Sequence, residues 1–339
     1  MELDRLAKNK VASILISRNG AFSIGGNPKK KSDITVEIAD GVKCELTVEN
    51  IRLLNSKKLP CIEIGKECDV TLVILGENVL SMGGIRVPES STFTLKGEGN
   101  LTIELDNDDY FGIGEGVDKY HGSIILEQSG CLKVEANGNM GICIGSGYGG
   151  DISLRKGQYA LEMNGDRALG IGVLYNDSTI DIDSCDLNIE LNTLKGTAIG
   201  SDSANDNITI SNSSVKLYLS GKEAVGIGTI TGETSDVYIH DASAVVNVHN
   251  DRCSATAALD GTTGFKLERA SLRIYAKGES VLPFGGFTGD TDVTLVDSDT
   301  TVKINTDLDL KDYISPERVN IEHGRARIVL NGYEYELAD

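Results

Sequence analysis

The sequence predicts an all-β protein: a right-handed, single-stranded parallel β-helix with three short strands and about 28 residues per coil. Three observations predict it. Apolar–x–apolar triplets begin at Ile124, Ile152, Ile180, Ile208, Val237, Phe265 and Val293, in steps of 28, 28, 28, 29, 28 and 28. Two further strand patterns keep fixed offsets from each triplet. No repeat carries a helical period, so a strand-only unit of this length must bury its apolar face by stacking on its neighbours.

Taken along the chain, residues 1–24 are expected to form an N-terminal cap, with a hairpin in "ILISRNGAFSI" turning at Asn19-Gly20, a pair that favours the type I′ turn. Residues 25–306 hold the coils. The first of these are irregular, with strands expected at 34–36, 70–72 and 93–95. The regular coils open on a Gly-Ile-Gly strand: Gly112-Ile113-Gly114, Cys143-Ile144-Gly145, Gly170-Ile171-Gly172, Ala198-Ile199-Gly200 and Gly226-Ile227-Gly228. The Ile row is expected inside, and the flanking small residues outside, as a nearly bald sheet that another backbone or a flat polymer could approach closely. The triplet strand follows, and then a third strand with alternation of period two, as in Leu187, Ile189, Leu191 and Val215, Leu217, Leu219. Its outward positions, among them Asn188, Glu190, Lys216, Tyr218, Arg273 and Tyr275, are polar or amphipathic. Residues 307–339 leave the pattern and read as a C-terminal cap with a hairpin at Asn331-Gly332. Caps are required because open coils expose apolar surface and strand edges.

Composition narrows the function. The chain has 339 residues, 40% of them hydrophobic, with 39 Gly, 5 Pro and no Trp. Acidic residues exceed basic ones by 51 to 32, a net charge of -19, which disfavours nonspecific binding to nucleic acid or anionic membranes. No apolar run approaches the ~18 residues that a membrane-spanning helix needs. The seven cysteines, Cys44, Cys61, Cys68, Cys131, Cys143, Cys185 and Cys253, include no CxxC and read as unpaired thiols acting as small hydrophobes. The N-terminus lacks the apolar segment of a secretory signal. A complete chain is therefore expected in the cytoplasm, and a piece of a larger protein at the cell surface or secreted.

The "GIG" strands followed by "DITI"-type triplets resemble the pectate-lyase-like right-handed β-helix superfamily. More narrowly they resemble GIG-repeat segments of bacterial surface proteins often labelled carbohydrate-binding. The resemblance covers roughly residues 20–306 as a repeat pattern. It implies a carbohydrate ligand by analogy, since one fold hosts many functions.

The residues do not assemble a catalytic signature. Asp108-Asp109, Asn305-Thr306-Asp307, His121 and His323 stand in the wrong order for a β-helix hydrolase, and the arginines line no single repeat position, as a lyase base would. Polysaccharide lyase or hydrolase activity is the alternative to a non-catalytic binding or scaffold role. A second alternative is an acidic solenoid mimicking nucleic acid, against which basic residues occur throughout the repeats. The expected ligand site is the loop after the Gly-Ile-Gly strand. There Tyr120, Tyr148 and Tyr175, spaced 28 and 27, would form a ladder beside Asp177, Asp202 and Asn205. Turn chemistry alone also accounts for Asn, Asp and Gly in such loops. Asp151, Asp177, Asp206, Asp236 and Asp292 suggest calcium, but the full GGxGxD loop is absent and no cofactor or metal site is assigned. The expected partners are a polysaccharide and, through the Gly-rich face, a second copy of the chain.

Overall fold

In a computed structural model, which describes residues 1–106, 108–308 and 319–338, the chain is an all-β parallel solenoid of about 11 turns with ~28 residues per turn. Each coil has three faces, and each face is a parallel sheet built from one strand per coil. On the Gly-Ile-Gly face, Ile14, Val36, Ile62, Ile85, Ile113, Ile144, Ile171, Ile199, Ile227, Thr256 and Phe284 stand directly over one another. On the triplet face, Ile124, Ile152, Ile180, Ile208, Val237, Phe265 and Val293 do the same. On the third face the inward columns run from Leu101, Ile103 and Leu105 to Leu132, Val134 and Ala136 and on to Tyr159, Leu161 and Met163. All these side chains are buried in one continuous core. Like positions recur every ~4.8 Å along the axis, so branched side chains of one shape pack as ladders.

The strands are longer than the repeat pattern suggests. Gly157–Tyr175 and Cys185–Ser203 are unbroken for 19 residues each, and Ser214–His240 for 27. Each carries the third strand of one coil through the corner into the next Gly-Ile-Gly strand, because pairing to the neighbouring coils persists around the bend.

The small residues of the Gly-Ile-Gly strands face inward, not outward. Register pairing runs Ile142 to Leu169 and then Ile144 to Ile171, skipping Cys143 and Gly170. The chain bends at the skipped residue, so that residue and the Ile after it both turn inside. Cys143, Ala198 and Ala255 belong to the main core, and a Cβ on Gly170 or Gly226 would lie 3.3 or 3.1 Å from the interior side chains of Ile189 or Val246 and would overlap the carbonyl oxygen of Ala198 or Ala255 in the next coil. Only a small side chain fits beside the Ile. The outward positions are instead Ile142, Leu169 and Val225, and the loops fold back over them: Leu174 and Val117 join the first two, Ile230 and Leu259 the third. Residues 141–147 are buried throughout. The expected bald sheet therefore does not exist; the chain's own loops cover it, and it offers no open Gly-rich surface to a second copy.

The second glycine of each motif has a separate cause. Gly114, Gly145, Gly172, Gly200 and Gly228 have φ of 144, 132, 139, 130 and 137°, a region that side chains rarely tolerate. A Cβ on Gly172 would also overlap the carbonyl oxygen of Gly200 in the next coil.

The ends differ from each other. The expected hairpin at Asn19-Gly20 is not formed. Ser13–Ile16 pairs in parallel with Thr35–Ile38, and Gly20–Gly25 with Lys43–Glu49, so both are sides of the first coil. Ile14 and Ile16 are drawn into the inward ladders, and Asn19-Gly20 becomes a corner. The N-terminal cover is a short helix, Leu3–Lys8, whose Leu3 is buried in the core, while Gly25 N–H donates to the Met1 carbonyl at 2.7 Å. At the other end the coils run past the expected boundary at 306, since Val319–Glu322 and Arg325–Leu330 still pair in parallel with the preceding coil, and Tyr333–Ala338 then folds back on Arg325–Leu330 as the expected antiparallel hairpin around Asn331-Gly332. Of the expected cap 307–339, residues 309–318 and 339 lie outside the described residues.

All seven cysteines are free, six of them buried, and burial pushes the Cys61 thiol up to about 12. Denatured without reductant, the protein is expected to titrate all seven thiols, whereas in the native state half-buried Cys131 reacts first; a lower count without reductant would reveal disulfides. Gly172→Ala is expected to cost roughly 1–3 kcal/mol in urea unfolding. Gly170→Ala should cost less, since Cys143 and Ala198 carry a Cβ at the equivalent position. Equal losses would show that backbone handedness is not what selects the second glycine.

Candidate functional site

The loop that follows each Gly-Ile-Gly strand does stack the three tyrosines. Tyr120 and Tyr148 lie with ring centroids 5.0 Å apart and planes 23° apart, and Tyr148 and Tyr175 at 5.6 Å and 45°. The backbone register Tyr120–Tyr148–Tyr175 sets this spacing. The rings face along the axis, so Tyr148 is covered by its neighbours on both sides. Asn176 Nδ2 donates to the Tyr120 hydroxyl at 2.6 Å, and Arg167 Nη1 to the Tyr175 hydroxyl at 3.4 Å.

The acidic residues expected beside them are divided. Asp202 is buried beneath an ion pair with Arg167 and another with Lys195 Nζ at 2.8 Å. It belongs to a charge ladder on the outer edge of this face, in which Arg252 joins Glu223 at 2.9 Å and Asp260 at 2.7 Å. Asp177 is exposed and Asn205 half-buried, and both line a shallow depression of about 370 Å³ with Asp151, Ser178 and Asp206. Asp206 is buried in its wall and accepts hydrogen bonds from Ser178 Oγ and Ser201 Oγ. Burial pushes its carboxyl up to about 6, against the pull of those two hydroxyls.

The expected aspartate column is interrupted. Asp151 is followed by Thr179, Asn207, Asp236, Gly264 and Asp292, and Asp206 stands one position earlier, turned inward. Among the described residues no three His, Cys, Asp or Glu side chains form a group able to hold a metal ion. The hydrolase-like fragments stay apart as well. Asp109 and Asn305 are separated by seven coils through the columns that begin at Asp106 and Asn137. His121 is buried, which lowers its pKa.

A groove lies where sequence reasoning placed only an exposed face. It runs along the axis on the outside of the third strands and has a volume of about 560 Å³. One wall is the column Glu162, Glu190, Tyr218, Asn247, Tyr275; the other is Asn164, Asn192, Ser220, His249. Tyr218 and Tyr275 are 44% and 37% exposed, on alternate rungs with Asn247 between them. Asn192 Nδ2 donates to Asn164 Oδ1 at 3.4 Å and Ser220 Oγ to Asn192 Oδ1 at 3.1 Å, a hydrogen-bonded rail along the axis. A second stretch of about 480 Å³ continues past His249 to Lys277, Asn305 and Asn331. The signal was present in the sequence: Tyr218 and Tyr275 are two repeats apart, but a tyrosine at an outward position reads equally well as ordinary strand surface.

Fold and groove together define an acidic parallel β-solenoid with a polar, aromatic-studded axial groove. No protein-family model, curated protein or solved structure matches the chain.

Asp206 offers a pH test of this surface. Its native pKa lies above its unfolded value, so its contribution to stability is fully present below pH ~4 and is lost as pH rises through about 6. Against wild type, Asp206→Asn is expected to gain in stability between pH 4 and pH 7, by up to about 3 kcal/mol. Parallel pH profiles for the two proteins in urea unfolding would contradict the buried-carboxyl assignment.

Proposed function

We propose that the protein is a non-catalytic glycan-binding solenoid and that the polymer lies in the axial groove. The observation that carries this reading is the exposed pair Tyr218 and Tyr275, flanking Asn247 beside the Asn164–Asn192–Ser220 rail. A pyranose ring presents an apolar C–H face and a rim of hydroxyls. Tyrosine supplies an apolar face with a polar tip, and each carboxamide supplies both a donor and an acceptor. The groove thus offers both kinds of contact, repeated along its length. The stacked Tyr120–Tyr148–Tyr175 ladder is less suited, because the ring faces a sugar would need already pack against one another.

Glu162 and Glu190 sit on adjacent rungs of one wall. Both are exposed, whereas a glycosidase acid is held protonated by its environment, and this favours binding over cleavage.

The test is a glycan array followed by pull-down on insoluble polysaccharides. Wild type and Tyr148→Ala are expected to bind alike, and Tyr218→Ala with Tyr275→Ala to lose binding. Wild type binding no glycan would end this reading. Shortened products that disappear in Glu190→Gln would make the groove catalytic instead.

A further inference from the structure

We infer that the groove is built for a neutral, unbranched, β-1,4-linked glycan lying along the solenoid axis, with alternate sugar rings seated on Tyr218 and Tyr275. This rests on the glycan-binding reading and goes further, to linkage and charge.

The first argument is straightness. The columns that wall the groove keep an unshifted register from Glu162 to Tyr275 and from Asn164 to Asn305. The rail therefore rises by ~4.8 Å per coil as one uninterrupted column over five spacings. Each spacing is close to the advance of one pyranose in an extended chain. A β-1,4-linked chain has both of its ring bonds equatorial and runs as a straight ribbon. An α-1,4 or β-1,3 chain coils, and would leave a straight rail within a few rings.

The second argument is periodicity. In a β-1,4 ribbon successive rings are turned over by about half a turn, so the same ring face recurs at every second sugar. The groove repeats its aromatic contact at every second rung, with Asn247 at the intermediate one. Aromatic, amide, aromatic along the wall matches face, edge, face along the ribbon. A chain whose ring orientation recurs after neither one nor two sugars could meet one tyrosine squarely but not both.

The third argument is charge. Glu162 and Glu190 stand at one end of the groove, and Asp251, Glu279 and Asp307 outnumber Lys277 in its continuation. The chain as a whole carries a net charge of -19. Lys303 follows Tyr275 in the wall column, but a polyuronate would still meet a net excess of carboxylates at both ends of the rail, so a neutral chain is the better fit.

Calorimetry with soluble hexasaccharides of defined linkage tests the inference on the intact protein. The probes are cellohexaose and N-acetylchitohexaose for the ribbon class, maltohexaose and laminarihexaose for coiled neutral chains, and hexagalacturonate for the acidic class. At least one ribbon is expected to bind about tenfold tighter than either coiled chain, with hexagalacturonate weakest. Affinity should rise with chain length up to roughly six rings, the span of five rung spacings. Tyr218→Ala and Tyr275→Ala should each weaken ribbon binding about three- to tenfold. Unchanged melting temperatures would confirm that the fold is intact. Equal affinity for ribbons and coiled chains would overturn the linkage inference while leaving glycan binding standing, and tighter binding of hexagalacturonate would overturn the charge inference. Failure of every glycan to bind would remove the underlying reading as well. The linkage comparison is made on wild type, so it decides the matter even if a variant proves unstable.

Discussion

Main-chain hydrogen bonds between coils, residue opposite residue, tie each turn of this protein to the turns before and after it. A coil cannot stand alone, because three short strands cannot enclose a core by themselves, and stacking is what closes the one continuous core. In-register pairing brings equivalent positions within ~4.8 Å, so every side chain stands over its counterpart in the coils above and below. Inside, this yields the ladders Ile113–Ile144–Ile171–Ile199–Ile227 and Ile124–Ile152–Ile180–Ile208. The same constraint brings backbones close together at the bend of the Gly-Ile-Gly strand, where a Cβ on one coil would overlap the carbonyl of the next. Glycine at that row is therefore a condition of stacking and does not mark a ligand's approach.

Pairing also governs the surface. Outward residues form columns as strict as those inside, and the columns decide which groups meet. Glu104, Glu135, Glu162 and Glu190 stack as like charges, an arrangement that is unfavourable when directly opposed. Arg52 pairs with Glu104 and Lys133 with Glu135, and the remaining two carboxylates stand in solvent. From that point the column changes to Tyr218, Asn247, Tyr275 and Lys303. Any binding feature made this way is linear and axial, which suits a polymer better than a small molecule.

The Gly-Ile-Gly face is double-layered. Its strands bury one set of residues in the solenoid core, and the returning loops bury Ile142, Leu169 and Val225 on the outer side. At the edge of the face the strand column Arg167, Lys195, Glu223 and Arg252 forms a charge ladder, joined by Asp202 from a returning loop. Among the described residues the third face has no such second layer, and there the exposed tyrosines stand beside a groove.

The sequence by itself determined the repeat length, the strand-only architecture, the interior Ile, Leu and Val columns, the free cysteines and the C-terminal hairpin. Each rests on periodicity or local turn chemistry, which depend on nearby residues and survive in a one-dimensional string. Tertiary structure alone decided which way the small residues of Gly-Ile-Gly point, because the bend at Cys143 and Gly170 breaks the alternation that sequence reasoning assumes. It decided that Asn19-Gly20 is a corner, since the same dipeptide serves a hairpin or a coil and only the partner strands distinguish them. It separated Asp202, buried under Arg167 and Lys195, from Asp177 and Asn205. The groove between Tyr218, Tyr275 and the asparagine rail belongs to the same category: its walls lie two residues apart on each strand, but its length comes from five coils, and a groove along the axis exists only once the coils are stacked.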